Sequence, residues 1–431
     1  MSFISSVIFT YSSKIVSIMF LFATNIIIAK SLGPEGLGII EVVMVVVGIA
    51  IQFGHLGLPN SIIYHTSKYP DELDKIITIL MFVGLCSGFF LAIITGTILF
   101  VVPSIVKGID LCFFYLALCS IPFAISYQHL QNVFIGIKKL YQYNLLDIAN
   151  KLIICIFTFI VLVVFHFGIV SVIIIQVVGT MVIFSVAVYF VSRIRPLSRF
   201  LSIQLLREML KFGFILYLGT VIAYCVLRSD ILLANYYLNA YSVGIYSVAV
   251  KISDLILVLP AVIGMLLVPH LISNNATNSE EISSKVIRIF IFIMAIICCV
   301  IGLFSQQFIV FIYGPTFIDS SMLLLVLLPG IFFLSIQQIG CYYLIAMKDF
   351  RFIPLYWLMA LLINVGINII LLPSIGIIGA SISSSLAYGI MLLAVLTHII
   401  RKSNIKPNKW LIIEREDFQL LYCYIKHLHK S

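Results

Sequence analysis

Charge is what this 431-residue chain has least of. Asp, Glu, Lys and Arg make up 10% of it, against about 25% in a soluble globular protein. So few charges cannot cover a water-facing surface, which excludes an ordinary soluble fold. The nine cysteines, Cys86, Cys112, Cys119, Cys155, Cys225, Cys298, Cys299, Cys341 and Cys423, form no C-x-x-C pair. A disulfide or zinc framework is therefore not expected, and the cysteines read as small hydrophobes. No G-x-S-x-G, H-E-x-x-H or Walker lysine pattern occurs, so covalent, metal-dependent and ATP-driven chemistry find no sequence support. Nor does the chain start with a cleavable-signal pattern. Lys14, its first basic residue, lies within an apolar run, so the first apolar segment is expected to be retained.

What the chain does have is apolar sequence: 62% of residues, with a mean hydropathy of +1.19. A membrane-crossing helix needs about 20 such residues, and lipid leaves helix as the economical backbone conformation. We read twelve spans, at about 8–30, 38–64, 76–103, 110–136, 146–166, 168–192, 212–236, 243–271, 286–312, 320–346, 353–372 and 376–400. The predicted fold class is an all-α polytopic membrane protein. Of the 26 Lys and Arg residues, 20 fall in alternate loops and the tail, counting Arg288 at the start of span 9 with its loop, 2 in the other loops and 4 within spans. That split predicts a multi-pass topology with both termini cytoplasmic.

Residues 193–211 interleave Arg193, Arg195, Arg199, Arg207 and Lys211 with apolar residues. They are expected to form a basic amphipathic linker on the cytoplasmic interface. It divides the chain into an N-lobe of spans 1–6 (1–192) and a C-lobe of spans 7–12 (212–400), followed by a cytoplasmic tail, 401–431. Weak internal matches support two halves. Leu32, Gly38 and Ile39 match Leu238, Gly244 and Ile245, while Pro122 matches Pro329, all at an offset of about 206–207. An even number of spans per half gives both halves the same orientation, a parallel 6+6 repeat. The glycine-rich "GPEGLG", 33–38, resembles a phosphate cradle. It has no following Lys-Ser/Thr, however, and its counterpart "LNAYSVG" has one glycine, so a sharp turn between spans 1 and 2 explains it better.

Three stretches carry a family resemblance: "IIIAKSLGPEGLGI" after span 1, "RSDILLANYYLNAYSVGIYSVAVKISD" at 228–254, and "NVGINIILLPSIGIIGASISSSLAYGI" at 364–390. Together they resemble the polysaccharide-transporter (Wzx-type) flippases of the multidrug/oligosaccharidyl-lipid/polysaccharide exporter superfamily. The resemblance implies two V-shaped lobes around a central cavity. It also implies translocation of undecaprenyl-diphosphate-linked oligosaccharides across the bacterial inner membrane for O-antigen, capsule or exopolysaccharide assembly. A coupling ion, H+ or Na+, would drive it, with no other cofactor, and a glycan polymerase and chain-length regulator would be partners.

Ionisable residues inside a span are costly, and are functional candidates for that reason. Lys14, Lys151, Arg228 and Lys251 are candidates for a diphosphate, arranged as a ladder from inner to outer leaflet. Arg can grip phosphate bidentately, and Lys offers a compact charge. The alternative is that these cations stitch helices together: Asp147 with Lys151 (i,i+4), Lys251 with Asp254 (i,i+3) or Arg228 with Asp254, with Lys14 snorkelling to the surface. Glu41, in the first outer turn of span 2, is read as reaching water. Asp230, Asp254, Asp147, His55 and His129 are candidates for ion coupling or charge pairing, although the histidines suit packing better. Gln128, Gln131 and Asn132 in span 4, with Gln337, Gln338 and Tyr342 in span 10, are candidate glycan contacts; packing explains them equally. A small-solute or multidrug antiporter of the same superfamily is the alternative function. A membrane-embedded polymerase or acyltransferase is disfavoured by the short outer loops.

Overall fold

The computed structural model describes residues 3–196, 198, 202–272, 276–403 and 410. Among these residues there is no strand. Eleven helices are long and apolar enough to cross a membrane, from Ser12–Gly54 to Ile378–Lys402. The first of them holds two spans, giving the twelve-helix fold in two six-helix bundles. The chain is thus a multi-pass membrane protein. Residues 1–2, Arg199 of the expected linker and nearly all of the expected tail lie outside the described residues.

The division of the first helix rests on one residue. Phe3–Gly54 runs as helix except at Gly33, whose φ of 67° and ψ of −174° only glycine adopts readily. Pro34 then starts the next helix with its φ already set. The reversal can be checked by distance. Asn25 and Glu41 lie eight residues either side of Gly33, and a straight helix would hold them about 24 Å apart. Instead Asn25 Nδ2 donates to Glu41 Oε1 at 3.2 Å, so the two spans fold back on each other as a hairpin.

Span 2 is interrupted. Helix stops at Gly54 and resumes as Leu58–Lys68, with Leu56 (φ 49°) and Gly57 (φ 83°) left-handed between. Apolar residues resume at Ile62 beyond the break, so 38–64 reads as one span from sequence, although Gly54, Gly57 and Pro59 mark the interruption. Span 4 is divided too: Leu111–Leu118 is followed by Ile121–Gly136, with Pro122 in the first turn of the second piece. Its counterpart Pro329 sits inside the continuous helix Ser320–Ala346.

Residues 203–211 do not form a separate interfacial helix. They are the first turns of span 7, Ile203–Tyr237, which Ser202 starts by accepting a hydrogen bond from Leu205 N at 3.3 Å. No proline separates them from the apolar part, and the helix runs unbroken through Gly213.

The repeat appears in the backbone. Spans 4 and 10 both end on a lysine at φ 60°, Lys138 and Lys348. In each, the next amide reaches back five residues: Lys139 N to Phe134 O and Asp349 N to Leu344 O, both at 2.8 Å. On the opposite side, spans 2 and 8 pack backbone to backbone. A Cβ on Gly38 would lie 1.8 Å from Ala240 O, and one on Gly244 would lie 1.8 Å from Pro34 O. Only glycine permits that approach. A single apolar core, including Leu37, Val43, Val243 and Tyr246, therefore continues from one half into the other.

Candidate functional site

Below this glycine contact the two halves enclose a cavity of about 470 Å³. Its charged lining is Glu41 (span 2), Lys151 (span 5), Arg228 (span 7), and Lys251 and Asp254 (span 8), with Asn25, Gln176 and Tyr224 as the main uncharged polar groups. With every group ionised, three cations face two carboxylates.

The charges share a depth. Counted at 1.5 Å per residue, Glu41 lies about 12 Å beyond Gly33, Arg228 about 14 Å before Tyr237 and Lys251 about 16 Å after Ala240. Lys151 lies about 16 Å into its helix, because that span starts at Leu140 rather than at 146. These four residues form a belt near the middle of the spans, not a ladder. Lys14 stands apart, about 28 Å before Gly33, half exposed on the basic-loop side and outside the cavity lining.

Every pairing crosses between helices. Arg228 Nη2 donates to Asp254 Oδ2 at 2.8 Å. Lys251 Nζ lies 3.1 Å from Glu41 Oε2, not on Asp254. Asp147 Oδ2 lies 3.7 Å from Lys14 Nζ, not on Lys151. Local i,i+3 and i,i+4 spacing thus lost to partners on neighbouring spans, on the cavity wall for Lys251 and outside it for Asp147. Among the described residues Lys151 has no carboxylate within 4.0 Å, which leaves it as the cavity's unpaired cation. Glu41, read as reaching water, is instead buried and held by Asn25 as well as Lys251. Tyr313 Oη in turn donates to Asn25 Oδ1 at 2.9 Å. One sequence signal could have found the Asn25–Glu41 pair: both stand eight residues from the turning glycine.

Arg228 and Asp230 face different ways, as their spacing requires. Asp230 points into the second half, away from the charged cavity, and is buried. Its Oδ2 accepts from Tyr246 Oη and from Ser384 Oγ, the latter at 3.3 Å. Asn364 Nδ2 donates to Ser384 Oγ and Asn368 Nδ2 to Asn364 Oδ1, each at 3.1 Å. Among the described residues Asn368 Oδ1 has no hydrogen-bond partner. This chain of oxygens on spans 7, 8, 11 and 12 was not read from the sequence beyond Asp230 itself.

The remaining candidates lie elsewhere. His55 and His129 are both buried in the first half, ring centroids 5.5 Å apart, beside the break in span 2. Gln131 Nε2 donates to Tyr127 Oη at 2.8 Å and Asn132 Nδ2 to Gln128 O at 2.9 Å, so both are engaged within span 4. Gln337, Gln338 and Tyr342 line a different, largely apolar cavity of about 570 Å³, whose walls include Trp357 of span 11. The structure therefore does not bring the span 4 and span 10 amides together around one chamber.

A family model described as "Polysaccharide biosynthesis protein" matches residues 3–275, and the chain belongs to that family. Solved structures share the fold. A multidrug resistance transporter of the MATE family in an inward-facing conformation superposes with a TM-score of 0.75 at 16% identity, over 90% of this chain and 96% of the other. The lipid II flippase MurJ, inward closed, gives 0.75 at 17%, over 98% and 93%. A transporter from Pyrococcus furiosus, described as having a binding pocket of reverse polarity, gives 0.67 at 15%, over 92% and 95%. No curated protein matches the sequence. The fold is thus that of MATE and MurJ transporters, and the family is tied to polysaccharide biosynthesis.

Proposed function

We propose that this protein flips undecaprenyl-diphosphate-linked oligosaccharides from the inner to the outer leaflet of the bacterial inner membrane, supplying O-antigen, capsule or exopolysaccharide assembly. The observation that carries the reading is the convergence of Lys151, Arg228 and Lys251 on one cavity between the halves, with Lys151 unpaired. A diphosphate arriving there meets an ammonium that no carboxylate holds. Arg228, on its short bond to Asp254, offers a planar fork for a second phosphate. Spans 1–6 and 7–12 act as the two lobes, and both termini lie in the cytoplasm, in keeping with the basic loops. A glycan polymerase and a chain-length regulator take the product.

Coupling to H+ or Na+ falls to Asp230, a carboxylate that has oxygen-bearing neighbours and, among the described residues, no Lys or Arg within 4.0 Å. Asp147 and Asp254 serve as counter-charges. The excess of cations in the cavity disfavours export of cationic drugs, the alternative reading.

The test is lipid-linked oligosaccharide flipping in proteoliposomes together with surface-glycan rescue in cells. Lys151→Ala and the double variant Arg228→Ala/Asp254→Ala should each abolish most transport while the protein still inserts. Wild-type transport by both would overturn the reading.

A further inference from the structure

We propose that Glu41 is a stand-in for the substrate's phosphate. In the empty transporter it holds Lys251 and so ties the two halves together on the outer side. An incoming diphosphate takes Lys251 from it and releases the tie. The inference rests on the flippase reading and adds to it what opens the outer side.

The tie is a chain of four side chains. Lys251 of span 8 contacts Glu41 of span 2 at 3.1 Å, Asn25 of span 1 donates to Glu41 at 3.2 Å, and Tyr313 of span 9 donates to Asn25 at 2.9 Å. Both ends belong to the second half and both middle members to the first, so separating the halves on this side breaks the chain twice. Each oxygen of Glu41 is used, Oε1 by Asn25 and Oε2 by Lys251. Arg228 with Asp254 ties nothing across, because both lie in the second half.

Position gives the chain its role. Glu41 is one turn inward from Gly38, and Lys251 two turns inward from Gly244, the two glycines that bring the halves into backbone contact. The ion pair is the first charged layer beneath that closure, and it also lines the cavity. A ligand can therefore reach Lys251 from the cavity without first opening the outer side. Carboxylate and phosphate offer an ammonium the same kind of oxygen, and a diphosphate brings more charge. Lys151 recruits it and Lys251 completes its neutralisation. Glu41 keeps Asn25 and meets the water that enters as the halves part. An empty transporter stays shut because Glu41 and Lys251 have no better partners.

The experiment uses the full chain in nanodiscs, with spin labels at Glu35 and Asp319. Both are exposed beside the outer ends of their spans, one in each half; the labels are placed on a background without the native cysteines. Geranyl diphosphate is the probe and geraniol its control. Wild type should show a short distance that lengthens with geranyl diphosphate alone. Glu41→Gln should populate the long distance with no ligand. Lys251→Met should do the same and no longer respond, which gives an independent reading if Glu41→Gln fails to accumulate. Short distances in the ligand-free variants, with geranyl diphosphate still binding to wild type, would overturn the tie and leave the flippase reading standing. Opening of Glu41→Gln with no binding of geranyl diphosphate to wild type would overturn the diphosphate trigger and the flippase reading together.

Discussion

Gly38 and Gly244 make the same contact twice. Each would place a Cβ 1.8 Å from a carbonyl on the other half, Ala240 for Gly38 and Pro34 for Gly244. Both the glycines and the carbonyl residues they face are related by the repeat offset of 206. A feature that looked in sequence like one weak repeat match is therefore a self-complementary joint, in which each half supplies both the glycine and the carbonyl.

Adding a side chain at either glycine should keep the joint from closing. Gly38→Val and Gly244→Val should insert but lose flipping, and a reagent applied from outside should label a cysteine introduced at Met44, in the cavity wall, faster than in the same background without the valine. Neither Cβ can be accommodated by a rotamer change, since its nearest atom is backbone. Unchanged labelling together with wild-type transport would show that the spans separate here at no cost.

The Arg228–Asp254 pair separates stitching from substrate binding. Removing Arg228 alone leaves Asp254 without its donor, which costs about 1–3 kcal/mol for a partly buried charged hydrogen bond. Arg228→Ala should lower both thermal stability and flipping. Arg228→Ala/Asp254→Ala should recover most of the stability and none of the flipping. If the double variant regains transport, the arginine is structural.

The spans were legible because lipid imposes a simple rule: about 20 apolar residues each, with cations kept to alternate loops. The breaks in spans 2 and 4 are marked by Gly54, Gly57 and Pro59 and by Pro122, but a window of about 20 residues averages over them and returns one span each. The identities of the cavity charges could be read, but their partners could not. Lys251 with Asp254, and Lys151 with Asp147, satisfy local spacing, yet the rotation of each helix about its axis brings partners on other spans within reach, Glu41 for Lys251 and Lys14 for Asp147. That rotation is set by packing over the whole span, which no short window contains. The same packing places Gln337 and Gln338 on a cavity other than the charged one.

Asp230 should separate coupling from substrate handling. It faces Tyr246 and Ser384, not the charged cavity. Asp230→Asn should therefore leave geranyl diphosphate binding within a fewfold of wild type while removing the response of flipping to imposed proton or sodium gradients. Retained gradient dependence in a folded Asp230→Asn protein would move coupling to another group.

On the basic-loop side, Asp349 clamps the turn after span 10 to the end of span 12. Its Oδ2 lies 2.6 Å from His398 Nε2 and 2.5 Å from Lys402 Nζ, and Tyr356 Oη meets His398 Nδ1 at 2.5 Å. Burial alone would raise the Asp349 pKa, but the hydrogen bonds from Lys402 and His398 outweigh it and hold the carboxyl below its ordinary value. A carboxylate depressed in the folded state contributes stability above its unfolded pKa, and that contribution fades as pH falls through the folded one. Wild type should therefore lose thermal stability on acidification through and below the ordinary carboxylate range. Asp349→Asn should be less stable than wild type by about 1–3 kcal/mol at neutral pH, and the gap should narrow as pH falls. A gap that persists unchanged at acid pH would mean the clamp acts through shape rather than charge.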